Sequence, residues 1–198
     1  MSIPFGYSEK IPENIREIFM WLCQDVVSLQ QKWDFYLELF SNEENTQLLS
    51  ELAVASFNLI FETTQNEITM AICRLSDPVK SMGQENLSLA ILEKKCAEME
   101  GFEKLFTEFY ELCEPVRHVR NKRVGHRDLN ATNRPLVNPL PGISRESIDR
   151  ILDSVTSILN QVMQYYDDSA LYFHVGGSGG ADTLIFWLKE GRKIRDRI

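Results

Sequence analysis

The chain has 198 residues and a mass of 22.9 kDa, enough for one domain with a substantial core. Apolar residues make up 43% and charged residues 25%, as in ordinary globular proteins, and no apolar run approaches the roughly 20 residues that span a bilayer. The net charge of −8 argues against a surface that binds DNA or membranes indiscriminately. The first residues lack the basic start and apolar stretch of a signal peptide, so we expect a cytoplasmic protein with no membrane partner.

Apolar residues recur every three or four positions from about Glu13 to Phe40, which predicts a first α-helix. A second helix is expected from about Thr46 to Leu75. Its middle, Leu52 to Phe61, is apolar on nearly all sides, so we expect this helix to be central in the core. Asp77-Pro78 should end the helix, because a residue before proline is pushed out of the helical region.

A third helical stretch begins near Asn86, whose side chain is a candidate N-cap. Gly101 either breaks this stretch or is tolerated within it, and the apolar pattern continues beyond it to Val116. Pro115 is expected to kink the helix or to open a new one. Three prolines between residues 130 and 142 predict a loop.

A last long helix should start near Ser144 and carry an apolar stripe as far as Tyr166. After it, Leu171 to Val175 is predicted to form a short strand or extended segment. Gly176 to Gly180 should be a flexible turn, and a short helix from about Ala181 to Arg195 should follow.

These elements predict an all-α fold, a bundle of four to six helices in a single domain over residues 1–198. The helical core is expected at about 13–166, with a C-terminal extension at about 167–198. The four cysteines are widely spaced with no CxxC pair, which favours small buried side chains over zinc ligands or disulfides. We expect no metal and no cofactor.

One segment departs from the acidic character of the chain. Residues 117–127 read RHVRNKRVGHR, with five Lys or Arg residues, two of the three histidines and no acid. The remainder has 16 basic and 29 acidic residues, a net charge of −13. We call residues 117–127 the basic segment.

The basic segment contains the residue types that phosphodiester chemistry requires. Arginine presents a fixed fork of donors that matches a phosphate and the charge that develops in its transition state. Histidine, with an ordinary pKa near 6.5, suits proton transfer at neutral pH. In RNA the 2′-hydroxyl is a built-in nucleophile, so no metal is strictly required. The candidate reacting pair is Arg120 and His126, and the candidate RNA-backbone or phosphate ligands are Arg117, Lys122, Arg123 and Arg127.

Two other interpretations of this segment follow from its geometry and charge. On one α-helix, six residues correspond to about 600° of rotation, so Arg120 and His126 would point roughly 120° apart. A two-fold dimer that brings the same helix from each subunit to one cleft resolves this, and Gly125 permits close approach. Alternatively, the segment is an exposed basic helix face that pairs with acidic surface nearby.

The run RNKRVGH from Arg120 to His126, followed by Arg127-Asp128, resembles the RNxxxxH signature of the HEPN superfamily (higher-eukaryote and prokaryote nucleotide-binding domain). Other segments are similar to its abortive-infection, AbiU-like branch, and the resemblance covers about residues 15–195. These segments are Arg74 to Asp77, Asn86 to Leu89, and Gly179 to Asp182.

This resemblance implies a helical bundle that dimerises and, for many members, a metal-independent endoribonuclease used in phage defence or as a toxin. By position, Arg120 and His126 match the catalytic pair and Asn121 matches the polar residue after the arginine. The implied roles are transition-state stabilisation by Arg120, orientation by Asn121 and proton transfer by His126. Gly125 stands where many relatives have alanine.

Three functional hypotheses stay open. The first is an RNA-cleaving homodimer with a composite cleft. The second is a non-catalytic nucleotide- or RNA-binding module, a sensor or one half of a toxin–antitoxin pair with a neutralising antitoxin partner. The third is an interaction protein whose basic segment docks on an acidic partner.

Overall fold

The computed structural model describes residues 5–125, 143–174 and 180–197. In chain order the elements of this part are α1 (Glu13–Phe40), α2 (Glu43–Leu75), β1 (Lys80–Ser81), β2 (Gln84–Glu85), α3 (Leu89–Lys95), α4 (Phe102–Val119), a π-helical turn (Arg120–Gly125), α5 (Arg145–Asp167) and α6 (Ala181–Arg195). The predicted all-α bundle is therefore confirmed. None of these helices combines the length and the apolar character needed to cross a membrane.

The main core forms where α1, the second half of α2, α4 and α5 pack together. The stripes predicted for α1 and α5 face this core, and Phe19, Phe106 and Ile151 are fully buried in it. Each such side chain contributes roughly 1.5–3 kcal/mol by leaving water. Ser144 caps α5 as predicted, since its hydroxyl accepts a hydrogen bond from the Ser147 N–H at 3.1 Å.

The prediction that α2 is central in the core is correct for its second half, but Leu52 to Phe61, the stretch on which the prediction rested, lie outside the main core. Val54 and Leu59 are 52% and 66% exposed, and Ala53 interrupts the regular winding of α2 with φ −158° and ψ 61°. This part of α2 joins a second, smaller apolar cluster with α6. An all-round apolar pattern predicts burial on every side, but α1 and α6 leave one face of this segment uncovered.

The third helical stretch is two helices, α3 and α4, separated at residues 96–101. Gly101 lies between them with φ +75°, a left-handed conformation that glycine adopts at little cost. Asn86 is not the N-cap; Ser88 occupies that position. The Asn86 amide instead donates to the Pro78 carbonyl at 2.7 Å and holds the small β1–β2 hairpin closed.

Pro115 neither ends α4 nor opens a new helix, because α4 continues through it to Val119. The residues 171–174 have no regular secondary structure, so no strand forms there, although Phe173 is buried. The helix predicted from about Ala181 to Arg195 is confirmed. The loop predicted at 130–142 and the residues 175–179 lie outside the described residues.

Candidate functional site

Arg117 joins the last turn of α4 to the end of α2. Its Nη1 donates to the Ser76 carbonyl at 2.9 Å, to the Ser76 hydroxyl at 3.1 Å and to Asp77 Oδ1 at 3.3 Å. Its side chain is 28% exposed. Three acceptors on one terminal nitrogen therefore fix this guanidinium against the end of α2.

Arg120, one turn further along, approaches the same carboxylate. Its Nη2 lies 3.8 Å from Asp77 Oδ1, and its guanidinium also meets the Cys73 thiol. Its Nε atom is buried and has no hydrogen-bond partner in the described part of the chain. A buried N–H without a partner costs roughly 1–3 kcal/mol, so an acceptor that reached this atom would be stabilised.

The site has a net positive charge and is partly buried from solvent. The side chains of Arg117, Arg120 and Asp77 are 28%, 27% and 29% exposed, so two positive charges and one negative charge meet where solvent screens them incompletely. The donors directed at the site are guanidinium N–H groups, which bind anions and not cations. Within residues 5–125, 143–174 and 180–197 no group of three or more His, Cys, Asp or Glu side chains is placed to hold a metal ion.

The rest of the basic segment continues into a π-helical turn, a rare conformation that is frequent at functional sites. The rotation per residue of an α-helix, from which the angle between Arg120 and His126 was predicted, therefore does not apply to Arg120–Gly125. Asn121 is exposed and Lys122 is partly exposed. The side chain of Arg123 is outside the described set, and His126 and Arg127 lie outside the described residues. The structure thus brings Arg117 and Arg120 together, and the pairing of Arg120 with His126 stays a prediction.

Cys73 and Cys113 beside this site are buried thiols with a raised pKa. All four cysteines are buried and free, as predicted. Burial raises the pKa of the Cys113 thiol to about 12. Burial also raises the pKa of Cys73, which the neighbouring Arg120 guanidinium offsets only in part. Because the thiolate is the reactive form, acyl or phosphoryl transfer through these thiols is disfavoured.

Asp77 is the residue that the sequence analysis treated only as a helix stop and as part of the family resemblance. The sequence contains one feature that indicates a partner for Asp77. An acid just after the last turn of a helix faces the negative end of the helix dipole, which is unfavourable unless a cation compensates it. Asp77 follows α2 in this way, and the compensating cations come from α4 and the π-helical turn, 40 or more residues later in the chain.

One family model matches most of the chain. The model of the AbiU2 family, a HEPN family, matches residues 12–178, which include α1 to α5 and the whole basic segment. No curated protein matches the chain, and no solved structure does. On the match over most of its length, the chain belongs to the AbiU2 family of HEPN domains.

Proposed function

We propose that the protein is a metal-independent endoribonuclease that acts in the cytoplasm, in phage defence or as a toxin. The observation that carries the proposal is the cluster at the end of α2, where the Asp77 carboxylate lies 3.3 Å and 3.8 Å from two arginine guanidinium groups and the Arg120 side chain is 27% exposed. An RNA phosphate is an acceptor of suitable charge for the accessible guanidinium donors of Arg120.

The proposed reaction is an attack of the 2′-hydroxyl on the neighbouring phosphorus. The hydroxyl gives its proton to a base, the O2′–P bond forms, and the P–O5′ bond breaks. The leaving 5′-oxygen takes up a proton, so the products carry a 2′,3′-cyclic phosphate and a 5′-hydroxyl. His126 transfers protons, Arg120 stabilises the charge on the phosphoryl oxygens, and Asn121 orients the phosphate.

Arg117 contributes more to fixing the end of α4 than to binding phosphate, because its Nη1 already donates hydrogen bonds to Ser76 and Asp77. It holds the end of α4 in place, and Arg120 follows within one turn. Lys122, Arg123 and Arg127 supply additional positive charge for the RNA backbone. The large negative charge on the rest of the chain restricts RNA binding to this segment.

We further propose a homodimer in which the basic segments of two subunits form one cleft. The test mixes two inactive variants, Arg120→Ala and His126→Ala. If arginine and histidine act from different subunits, mixed dimers contain one intact site and regain part of the activity. If each subunit supplies its own pair, mixing restores nothing, and analytical ultracentrifugation then shows whether a dimer exists at all.

The principal experiment measures cleavage of single-stranded RNA with EDTA present. Arg120→Ala and His126→Ala should each lower the rate by about 10²-fold or more. Arg150→Ala is the matched control, since Arg150 is exposed on α5 and should leave the rate unchanged. Terminal analysis of the products should find 2′,3′-cyclic phosphates.

Wild-type rates in both site variants, or an absolute requirement for Mg²⁺, would refute the proposal. Salt-sensitive RNA binding with no cleavage products would instead identify a non-catalytic RNA-binding module. Growth arrest on expression that disappears in His126→Ala would support the toxin role, and co-purification of a protein that blocks cleavage would identify an antitoxin.

A further inference from the structure

A cavity of about 510 Å³ opens between α1, α2, the last residue of α4 and the start of α5. This volume lies within the range of small-molecule sites in proteins, roughly 300–1,000 Å³. The described residues that line it include Trp33, Tyr36, Phe40, Asn66, Thr69 and Val119. Neither the proposed reaction nor the contacts of Asp77 use this cavity.

One wall of the cavity is a fixed aromatic surface. The rings of Trp33 and Tyr36 are stacked, with centroids 5.4 Å apart and planes 7° apart, and Phe40 adjoins Tyr36 at 5.5 Å. The Trp33 indole N–H donates to Asp149 at 2.7 Å, which holds the ring in place. A flat, preorganised aromatic wall favours a flat ligand, because stacking needs little further ordering of the protein.

The α2 side of the cavity carries polar groups that recognise a heterocycle better than an aliphatic chain. Gln65 donates to the Tyr36 hydroxyl at 3.1 Å. The Asn66 amide lines the cavity and makes no side-chain hydrogen bond within the described part of the chain. An amide provides both a donor and an acceptor, the combination that the edges of nucleobases present.

The cavity lies beside the arginine cluster. Val119 lines it, and Arg120 is the next residue in the chain. Thr69 lines it from α2, one helical turn before Cys73, which the Arg120 guanidinium meets. The four residues from Thr69 to Cys73 correspond to about 6 Å along the helix axis, and successive stacked nucleotides are roughly 3.4 Å apart. A base in the cavity and a phosphate at Arg120 would therefore belong to the same or neighbouring nucleotides.

Trp33 is only 6% exposed and backs Tyr36, which is partly exposed, so Tyr36 is the ring that a ligand would meet. We propose that this cavity is a subsite for one unpaired RNA base, which stacks on Tyr36 and bonds to Asn66 while its phosphate reaches Arg120. The inference rests on the proposed function for the identity of the ligand, RNA. It adds that cleavage has a preferred base next to the scissile bond, and that this base must be unpaired in order to enter.

The test uses the four ribonucleoside 5′-monophosphates, with ribose 5-phosphate as the control that lacks a base. Trp21 and Trp187 are 51% and 66% exposed, so Trp21→Phe and Trp187→Phe leave Trp33 as the single tryptophan, whose emission is excited selectively over that of tyrosine. At least one nucleotide should quench Trp33 saturably, and ribose 5-phosphate should not. The best binder should also match the base preferred at the cleavage site.

The variant Asn66→Ala should weaken that nucleotide about fivefold, the effect of one hydrogen bond. Asn58→Ala is the matched control, because Asn58 is exposed on the same helix and outside the cavity. Far-UV circular dichroism verifies that both variants fold. Equal affinity of the two variants, or quenching no stronger than that by ribose 5-phosphate, overturns the inference.

The two proposals can fail separately. RNA cleavage that depends on Arg120 and His126, together with no base-dependent quenching, overturns the base subsite alone. A second outcome is base-dependent quenching that Asn66→Ala weakens, with no RNA cleavage. It refutes the endoribonuclease activity and identifies a nucleotide-binding module.

Discussion

Replacement of Asp77 by asparagine should destabilise the fold, because one carboxylate holds two arginines. At an effective dielectric constant of about 20, the separations of 3.3 Å and 3.8 Å correspond to gross attractions of about 5 and about 4 kcal/mol. Desolvation of three partly buried charges offsets most of this, and hydrogen bonds to charged groups contribute a net 1.5–3 kcal/mol or so. Asparagine still accepts a hydrogen bond from Arg117, so we expect a loss of about 1–2 kcal/mol.

Urea unfolding followed by circular dichroism measures this loss as a lower midpoint at unchanged slope. Asp153→Asn is the matched control, since Asp153 is exposed on α5 and has no ion pair in the described part of the chain; it should change stability by less than about 0.5 kcal/mol. A double-mutant cycle with Asp77→Ala and Arg117→Ala should give a coupling of about 1 kcal/mol or more. Equal midpoints for Asp77→Asn and Asp153→Asn, or zero coupling, would refute the reasoning.

Three further outcomes are expected. Phe106→Ala should cost about 3–5 kcal/mol in urea unfolding because Phe106 is fully buried, whereas the 55% exposed Phe186 should tolerate the same change with a far smaller loss. The four buried cysteines should resist Ellman's reagent in the native protein and react together on unfolding; a rapidly reacting thiol would contradict their burial. The Lys10–Asp167 ion pair raises the pKa of Lys10 and lowers that of Asp167. Its stabilisation should therefore be lost as pH falls through the lowered pKa of Asp167, or rises through the raised pKa of Lys10. In a pH series of urea midpoints, Asp167→Asn should make the acid dependence shallower, and an unchanged dependence would contradict the contribution of this pair.

Most of the helices could be predicted from the sequence because their stripes are strictly periodic. Helix α5 is the clearest example, since its apolar positions recur every three or four residues and all face the core. The errors lie where a local pattern does not determine what covers a segment. Leu52 to Phe61 is apolar on nearly all sides, but no sequence pattern shows that α6 covers only part of it. Ala53, with its non-helical torsion angles, is another case, as alanine favours helices.

The cations of the candidate site could be located in the sequence, but their partner could not. The basic segment is conspicuous because it has no acid over residues 117–127. The carboxylate that orders it comes from Asp77, on the far side of the hairpin, α3 and most of α4. Such a contact depends on tertiary packing, so periodicity and spacing do not reveal it. The cavity beside Val119 is likewise formed by residues that are distant in sequence, from Trp33 on α1 to Ile148 on α5.

The Asp77 carboxylate has two opposing effects on RNA binding at this site. It orders Arg117 and Arg120 before a ligand arrives, which reduces the entropy that binding would otherwise cost. It also competes with a phosphate for the same guanidinium groups. The competition is unequal, because Arg117 has two further acceptors on Ser76, while Arg120 lies 3.8 Å from Asp77, meets the Cys73 thiol, and has no partner for its Nε in the described part of the chain. A phosphate should therefore bind Arg120 and leave Arg117 on Asp77. Removal of the Asp77 carboxylate should then loosen Arg117 more than it makes Arg120 available to the phosphate.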